Sequence, residues 1–295
     1  MKPATDQPSR ARALAELHLA VALFGFAGLF AKWIALPAIG IVFGRTLIAS
    51  IALATLLHFR GERALAVGID RRFALNGAVL AVHWLAFFEA IQLASVAIGL
   101  LGFASFPLFV LLLEAATGQR RLRARDWTTA ALVTLGLLLV VPEFRWANRA
   151  AQGLACGVVS GFAFALLAVR NRALAAAVSP GAIALWQNAW AALCLLPFTL
   201  VASVSPTPGD AALLVVLGVV CTALAHTLFI GALRVASAHV ASVVAALEPV
   251  YGIALAFLLL GEAPDRRTLL GGALLVAAAL WATRTAAFGA RDAIR

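Results

Sequence analysis

The sequence predicts an all-α integral membrane protein, with ten transmembrane helices arranged as two inverted-topology five-helix repeats around a central cavity. Three observations carry this prediction. The first is composition: 63% of residues are hydrophobic and 12% charged, against about 45–50% and 25% in globular proteins. Alanine and leucine dominate the apolar runs and strand-period alternation is absent, so the spans are helices rather than barrel strands. The second is the placement of the basic residues. The third is an internal repeat at an offset of 142 residues.

Ten apolar runs fit a bilayer, which needs about 20 residues per helix. They cover 14–34, 38–58, 73–93, 95–114, 127–142, 151–170, 180–202, 210–233, 236–260 and 268–286. The first follows a short basic start, Met1 to Arg12, which lacks a convincing cleavage site and reads as uncleaved. The connections are mostly short, so no soluble domain is expected. With an even number of spans both termini share one face. That face holds 17 of the 23 Lys and Arg residues, the opposite face holds five (Lys32, Arg145, Arg149, Arg266 and Arg267), and Arg45 lies inside a span. The asymmetry places both termini in the cytoplasm. It also accounts for the net charge of +10 without nucleic acid.

The fourth and ninth spans carry the repeat. Ala94, Ser95 and Pro107 recur as Ala236, Ser237 and Pro249, and Phe87 and Ala90 recur as Phe229 and Ala232, all 142 residues on. A proline inside a helix removes a donor and clashes with the preceding turn, so Pro107 and Pro249 are expected to mark equivalent bends. The halves are residues 1–145 and 146–295. Five spans per half is odd, so the second half inserts upside down. Such repeats hold a small-molecule site near the bilayer midplane, at their interface.

Polar and aromatic residues inside the spans are the candidates for that site. Trp84, Phe87 and Phe88 share one face of the third span at i, i+3 and i+4. They can stack on a planar ligand or pack against neighbouring helices. His83 beside them can donate to a ligand or to another helix. In the seventh span Trp186, Gln187, Asn188 and Trp190 form a polar aromatic cluster. Its amides can bind a zwitterion or join helices, and Trp186 can equally anchor at an interface. His226 stands 142 residues beyond Trp84, and Gln187 the same distance beyond Arg45. Glu248 lies inside the ninth span, where an ionisable group rarely faces lipid. It can bind an amino group, carry a proton, or pair with an arginine. Tyr251 is the next polar side chain along that helix. The pair Gly25 and Gly28 reads as a close helix approach. Cys156, Cys194 and Cys221 lie in apolar runs without metal or redox spacing, and no zinc, nucleotide or nucleophile motif is present, so no cofactor or metal is expected.

These features resemble the drug/metabolite transporter superfamily, and within it the ten-helix EamA-type exporters, over almost the whole chain. The residues that carry the resemblance are Glu248-Pro249-Val250 running to Leu260-Gly261-Glu262, the Gly271-Gly272 pair, and Phe43-Gly44-Arg45. At the offset of Gly261-Glu262 the first half has Gln119-Arg120, a departure from the pattern. The tryptophan-rich spans and the His83-Trp84 pair are most similar to the superfamily's aromatic amino-acid exporters. The resemblance implies export of small metabolites from the cytoplasm across a bacterial inner membrane, by alternating access. An amino acid with an aromatic or other apolar side chain is the implied substrate, with proton exchange and downhill export both open. A broad drug or metabolite efflux protein is the alternative within transport. A membrane-embedded enzyme would need a catalytic constellation at one depth, which the sequence lacks.

Overall fold

The computed structural model of the chain describes residues 9–62, 70–119, 121–140 and 147–292, and of these the side chains of 125, 239, 279, 280 and 282–292 are excluded. Arg63, Arg120, Arg145 and Arg295, and the expected boundary between halves at 145 and 146, lie outside the described residues. The first span is α1 (Arg10–Ala27) continued by the short α2 (Phe30–Trp33), and the second is α3 (Ala38–Phe59). Then follow α4 (Arg71–Leu93), the bent pair α5 (Val96–Phe103) and α6 (Phe106–Ala116), and α7 (Ala124–Val140). The second half has α8 (Arg149–Ala175), α9 (Pro180–Val201), and α10 (Pro208–Gly218) joined to α11 (Ala225–Ala232) by a π-helical turn, Val219–Leu224. The bent pair α12 (Ala238–Ala245) and α13 (Glu248–Leu260) and the final α14 (Arg266–Asp292) complete it.

Among the described residues eight helical segments are long and apolar enough to cross a membrane. A ninth, Asp126–Val140, is apolar but shorter. It belongs to α7, which packs along α14.

Polar caps set the helix ends. Ser9, Asp70, Ser95, Asn148, Ser179, Thr207 and Ser237 each accept a hydrogen bond from a backbone N–H in the first turn that would otherwise lack a partner. Gly261 closes α13 at φ 70°, a left-handed conformation that suits glycine.

The repeat appears at the level of single residues. α5 and α12 begin and end 142 residues apart, as Val96–Phe103 and Ala238–Ala245. Ser95 Oγ accepts from the N–H of Ile98 at 3.2 Å, and Ser237 Oγ from that of Val240 at 3.1 Å. Both helices break just before proline, at Ala104–Ser105 and at Ala246–Leu247, and resume with Pro107 and Pro249 in the first turn. A proline cannot donate to the carbonyl four residues back and its ring crowds that turn, so the chain restarts a helix there, where a missing donor costs nothing.

The packing maps onto itself when the halves are exchanged. α4 lies on α8 as α11 lies on α1. The α5–α6 pair meets α8 as the α12–α13 pair meets α1. α4 touches α9 as α10 touches α3, while α3–α9 and α7–α14 are their own counterparts. Small residues let the backbones approach. A Cβ on Gly25 would sit 3.0 Å from both Glu248 O and Gly252 N, which brings α1 against α13. Gly102 and Gly157 do the same for α5 and α8, with a Cβ on either 2.9 Å from the other's Cα.

Candidate functional site

Arg45 is the pivot of the interior. It lies about two turns into α3 and is fully buried. Its Nε donates to Thr222 Oγ1 at 2.9 Å and its Nη2 to the carbonyl of Cys221 at 3.3 Å. Its guanidinium carbon lies 3.4 Å from the centre of the Trp84 ring and 5.2 Å from that of Phe88. A guanidinium at membrane depth costs about 2.5–3.5 kcal/mol or more unless protein groups replace water. Here a hydroxyl, a carbonyl and two rings replace part of it. The π turn supplies the first two. Thr222 donates its own proton to Leu217 O, five residues back, at 2.7 Å, which leaves its oxygen free to accept from Arg45. Insertions of this kind recur at functional sites.

An aromatic group surrounds the pivot. The Phe24 ring centre is 6.4 Å from Trp84, 5.9 Å from Phe164, 5.6 Å from His226 and 5.7 Å from Phe229. His226 stacks on Trp84 at 5.6 Å with the rings 14° from parallel. His83 stacks on Phe164 at 4.7 Å, and its Nδ1 lies 3.1 Å from the Ser160 carbonyl and 2.8 Å from the Ser160 hydroxyl. Phe87 and Phe88 flank Trp84 at 5.6 Å and 6.1 Å. The expected central cavity is therefore filled with rings in this conformation.

Among the described residues five side-chain polar atoms are buried without a hydrogen-bond partner: Arg45 Nη1, Trp84 Nε1, Asn188 Oδ1, His226 Nε2 and Glu248 Oε2. They come one each from α3, α4, α9, α11 and α13. An orphaned buried polar atom forfeits about 1–3 kcal/mol, more when charged. A polar group brought to such atoms gains most, and the five are drawn from both halves.

The sequence candidates divide by position. His83, Trp84, Phe87, Phe88 and His226 come together with Phe24, Phe164 and Phe229. Gln187 is buried nearby in a polar ladder: Arg170 Nε donates to Asn76 Oδ1 at 2.6 Å, Asn76 Nδ2 to Asn171 Oδ1 at 2.9 Å, and Asn171 Nδ2 to Gln187 Oε1 at 3.1 Å. Trp186 packs instead against a separate apolar cluster with Ile183, Leu57 and Phe73. Tyr251 is half-buried on α13, its Cβ 3.3 Å from where a Cβ on Gly25 would lie. Pro107 and Pro249 stand at the two helix breaks. Asn188, named with the seventh-span cluster, is buried with its Oδ1 unpartnered. Arg45, Thr222, Phe24 and Phe164 were not among the site candidates. Arg45 had a visible signal as the only basic residue assigned to a span interior; Thr222 and the phenylalanines had none. Among the described residues no three His, Cys, Asp or Glu side chains converge to hold a metal.

The two ends of the bundle differ. At one end Glu262, from the turn before α14, accepts from the N–H of Val96 at 3.0 Å and faces Lys32 Nζ at 3.8 Å. Arg149 Nε donates to Leu93 O at 3.1 Å, and the N–H of Ala35 donates to Asp210 Oδ1 at 2.9 Å. These contacts join the halves. At the other end Ser179 Oγ donates to Glu62 Oε2 at 2.8 Å, also across the halves, and beside it a cavity of about 930 Å³ opens between α1, α3, α9 and α11. Arg12, Glu16, Arg60, Glu62 and Arg234 line its mouth, and Leu53, Ala223 and Thr227 its walls.

Known proteins place this architecture. The chain is 22% identical over 282 residues to the uncharacterised transporter YxxF of Bacillus subtilis, covering 93% of this chain and 90% of that one. It is 28% identical over 252 residues to the pseudopaline exporter CntI of Pseudomonas aeruginosa, covering 85% and 87%. A solved crystal structure superposes with a TM-score of 0.68 at 20% identity, over 95% of this chain and 99% of that one, which establishes the shared fold. The sequence profile of the EamA-like transporter family matches twice, at residues 14–141 and 151–284, once on each half. The chain belongs to the EamA-like transporter family.

Proposed function

We propose that this transporter exports small metabolites across a bacterial inner membrane, and that its substrates are amino acids with aromatic or other apolar side chains. The observation that carries the reading is the fully buried Arg45 on the Trp84 ring, its Nη1 one of five unpartnered buried polar atoms on five different helices. A guanidinium matches a carboxylate in geometry and charge. The surrounding rings match an apolar or aromatic side chain. The name of CntI, a pseudopaline exporter, supports export of a small metabolite as a use of this architecture. A broad efflux protein for cations would expose Glu248 in an open cavity; Glu248 is 2% exposed.

The transport cycle is alternating access between two inverted five-helix repeats, with ten spans and both termini in the cytoplasm. Three features support it: the coincident breaks of α5–α6 and α12–α13, the correspondence of the main helix contacts between halves, and a cavity that opens at one end while several cross-half contacts gather at the other. By the basic-residue asymmetry the open end faces the cytoplasm, so this conformation would load substrate from inside.

Uptake by purified protein in liposomes tests the reading, with a panel of labelled amino acids run with and without a proton gradient. Aromatic and branched apolar amino acids should be carried, and the gradient arm separates proton exchange from downhill movement. No carriage of any amino acid would sink the proposal. Reporter fusions at Ile294, outside the described residues, and in the turn at 203–209 should report opposite sides of the membrane; the same side for both would sink the ten-span topology.

A further inference from the structure

We infer that Arg45 and Glu248 together form a clamp for a zwitterion, Arg45 taking the α-carboxylate and Glu248 the α-ammonium group of the substrate. The inference rests on the amino-acid reading above and assigns its two charged ends to residues.

The argument starts from a mismatch. Arg45 and Glu248 are both almost completely buried, at 0% and 2% exposure. A guanidinium and a carboxyl group in one dry interior gain most by closing to contact, because attraction and hydrogen bonding are strongest where water is excluded. These two do not close. Among the described residues the ion pairs within 4.0 Å are Arg12 with Glu16, Lys32 with Glu262, and Arg72 with Asp70. Arg45 spends Nε and Nη2 on Thr222 and Cys221 and keeps Nη1 without a partner. Glu248 keeps Oε2 without a partner.

Each is held by its own surroundings. Arg45 is tied to the π turn of the eighth span and seated on Trp84. Glu248 starts α13, next to Pro249, with its carbonyl oxygen against Gly25 of α1. A molecule bearing an anion toward Arg45 and a cation toward Glu248 satisfies both. An α-amino acid carries that pair of charges on two groups attached to one carbon. Asn188 Oδ1 and His226 Nε2, also orphaned, can share the ammonium or the carboxylate.

The clamp also suits an exporter's need to release its cargo. Arg45 is on the first half and Glu248 on the second, so a rocking of the halves changes their separation and loosens both contacts at once.

The test uses purified full-length protein and three labelled probes: L-phenylalanine, phenethylamine, which lacks the carboxylate, and 3-phenylpropionate, which lacks the ammonium. Wild-type protein should bind L-phenylalanine at least tenfold more tightly than either analogue. Glu248→Gln should weaken L-phenylalanine by tenfold or more and change 3-phenylpropionate by less than twofold. Arg45→Gln should weaken L-phenylalanine comparably and leave phenethylamine within twofold. Glu248→Asp should recover part of the loss. The clamp is overturned if Glu248→Gln weakens 3-phenylpropionate as much as L-phenylalanine, or leaves L-phenylalanine unchanged. If either Gln variant fails to elute as folded protein, the wild-type series decides, and analogues bound as tightly as L-phenylalanine overturn the clamp. Transport of L-phenylalanine with charge-insensitive variants sinks the clamp alone. A wild-type protein that carries no amino acid sinks the functional reading first and the clamp with it.

Discussion

Replacing Trp84 by leucine or by phenylalanine separates two roles for one side chain. The third-span spacing suggests that Trp84 stacks directly on an aromatic substrate, so its loss should spare small amino acids. The structure gives its ring to protein groups instead: Arg45 at 3.4 Å and His226 at 5.6 Å. A cation over an indole is worth about 2 kcal/mol or more when both are desolvated, and Trp84 is 2% exposed. Leucine removes that interaction. At about 1.4 kcal/mol per factor of ten, affinity should fall roughly thirtyfold. Phenylalanine keeps an aromatic face under the guanidinium, and a loss below about 1.5 kcal/mol, at most roughly tenfold, is expected. Both variants lose the bulk of the indole, so the difference between them isolates the aromatic face. Because the interaction supports Arg45, which meets the part common to all amino acids, the Leu variant should lose L-phenylalanine and threonine alike. The assay is transport of both substrates in liposomes at matched amounts of folded protein, with thermal unfolding recorded in parallel. If Trp84→Leu impairs phenylalanine and leaves threonine untouched, the ring stacks on the substrate and the reasoning through Arg45 is refuted.

Three further outcomes follow from the geometry. Glu262→Gln weakens an exposed ion pair with Lys32 and a charged acceptor at the start of α5, together about 1 kcal/mol. The end they close should open about fivefold more often, read as faster labelling of Ser95→Cys by an impermeant thiol reagent in a background without the native cysteines; an unchanged rate would show that Glu262 does not hold the halves. Gly25→Ala places a methyl 3.0 Å from backbone atoms of Glu248 and Gly252, so α1 and α13 must part at a cost of about 1–3 kcal/mol. Its unfolding midpoint should drop, while Gly209→Ala, with only Thr207 Oγ1 at 3.7 Å, should not. Asp265 accepts from the N–H of Thr268 at 2.7 Å, and that bond holds its carboxyl below the usual aspartate range. A carboxylate with a depressed folded-state pKa stabilises above its unfolded value and loses the contribution as pH falls through the folded one. Asp265→Ala should therefore cost about 1 kcal/mol at neutral pH, and the gap in unfolding midpoint from wild type should close on acidification; a gap independent of pH would rule out the cap.

Much of this molecule was legible in the chain because membrane insertion is governed by local quantities. Each span must carry its own apolar surface and satisfy its own backbone, so hydropathy placed most helix ends within a few residues; α8, expected to end at 170, runs on to Ala175. The expected run 38–58 is α3, Ala38–Phe59, and 180–202 is α9, Pro180–Val201. The breaks before Pro107 and Pro249 were equally local, since a proline perturbs the turn that precedes it wherever it sits. The repeat register followed from them. The site was less legible because its parts meet across sequence distances on which local pattern is silent. Trp84 and His226 could be flagged as polar aromatics in spans. Nothing local said that His226 would stack on Trp84, or that Trp186 would turn away into a cluster with Ile183 and Phe73. Arg45 could be read as a buried charge, but its partners come from a π turn 177 residues away. That turn is set by how the eighth span accommodates a hydroxyl and a guanidinium, not by helix propensity. The sequence by itself therefore determined the membrane class, the apolar helices and the bends, because each is dictated by a helix's own composition; among the described residues eight of the ten expected spans are long and apolar enough to cross a membrane. Only the tertiary structure decided which buried polar atoms face one another and which end of the bundle is closed, because those depend on how the two halves close on each other.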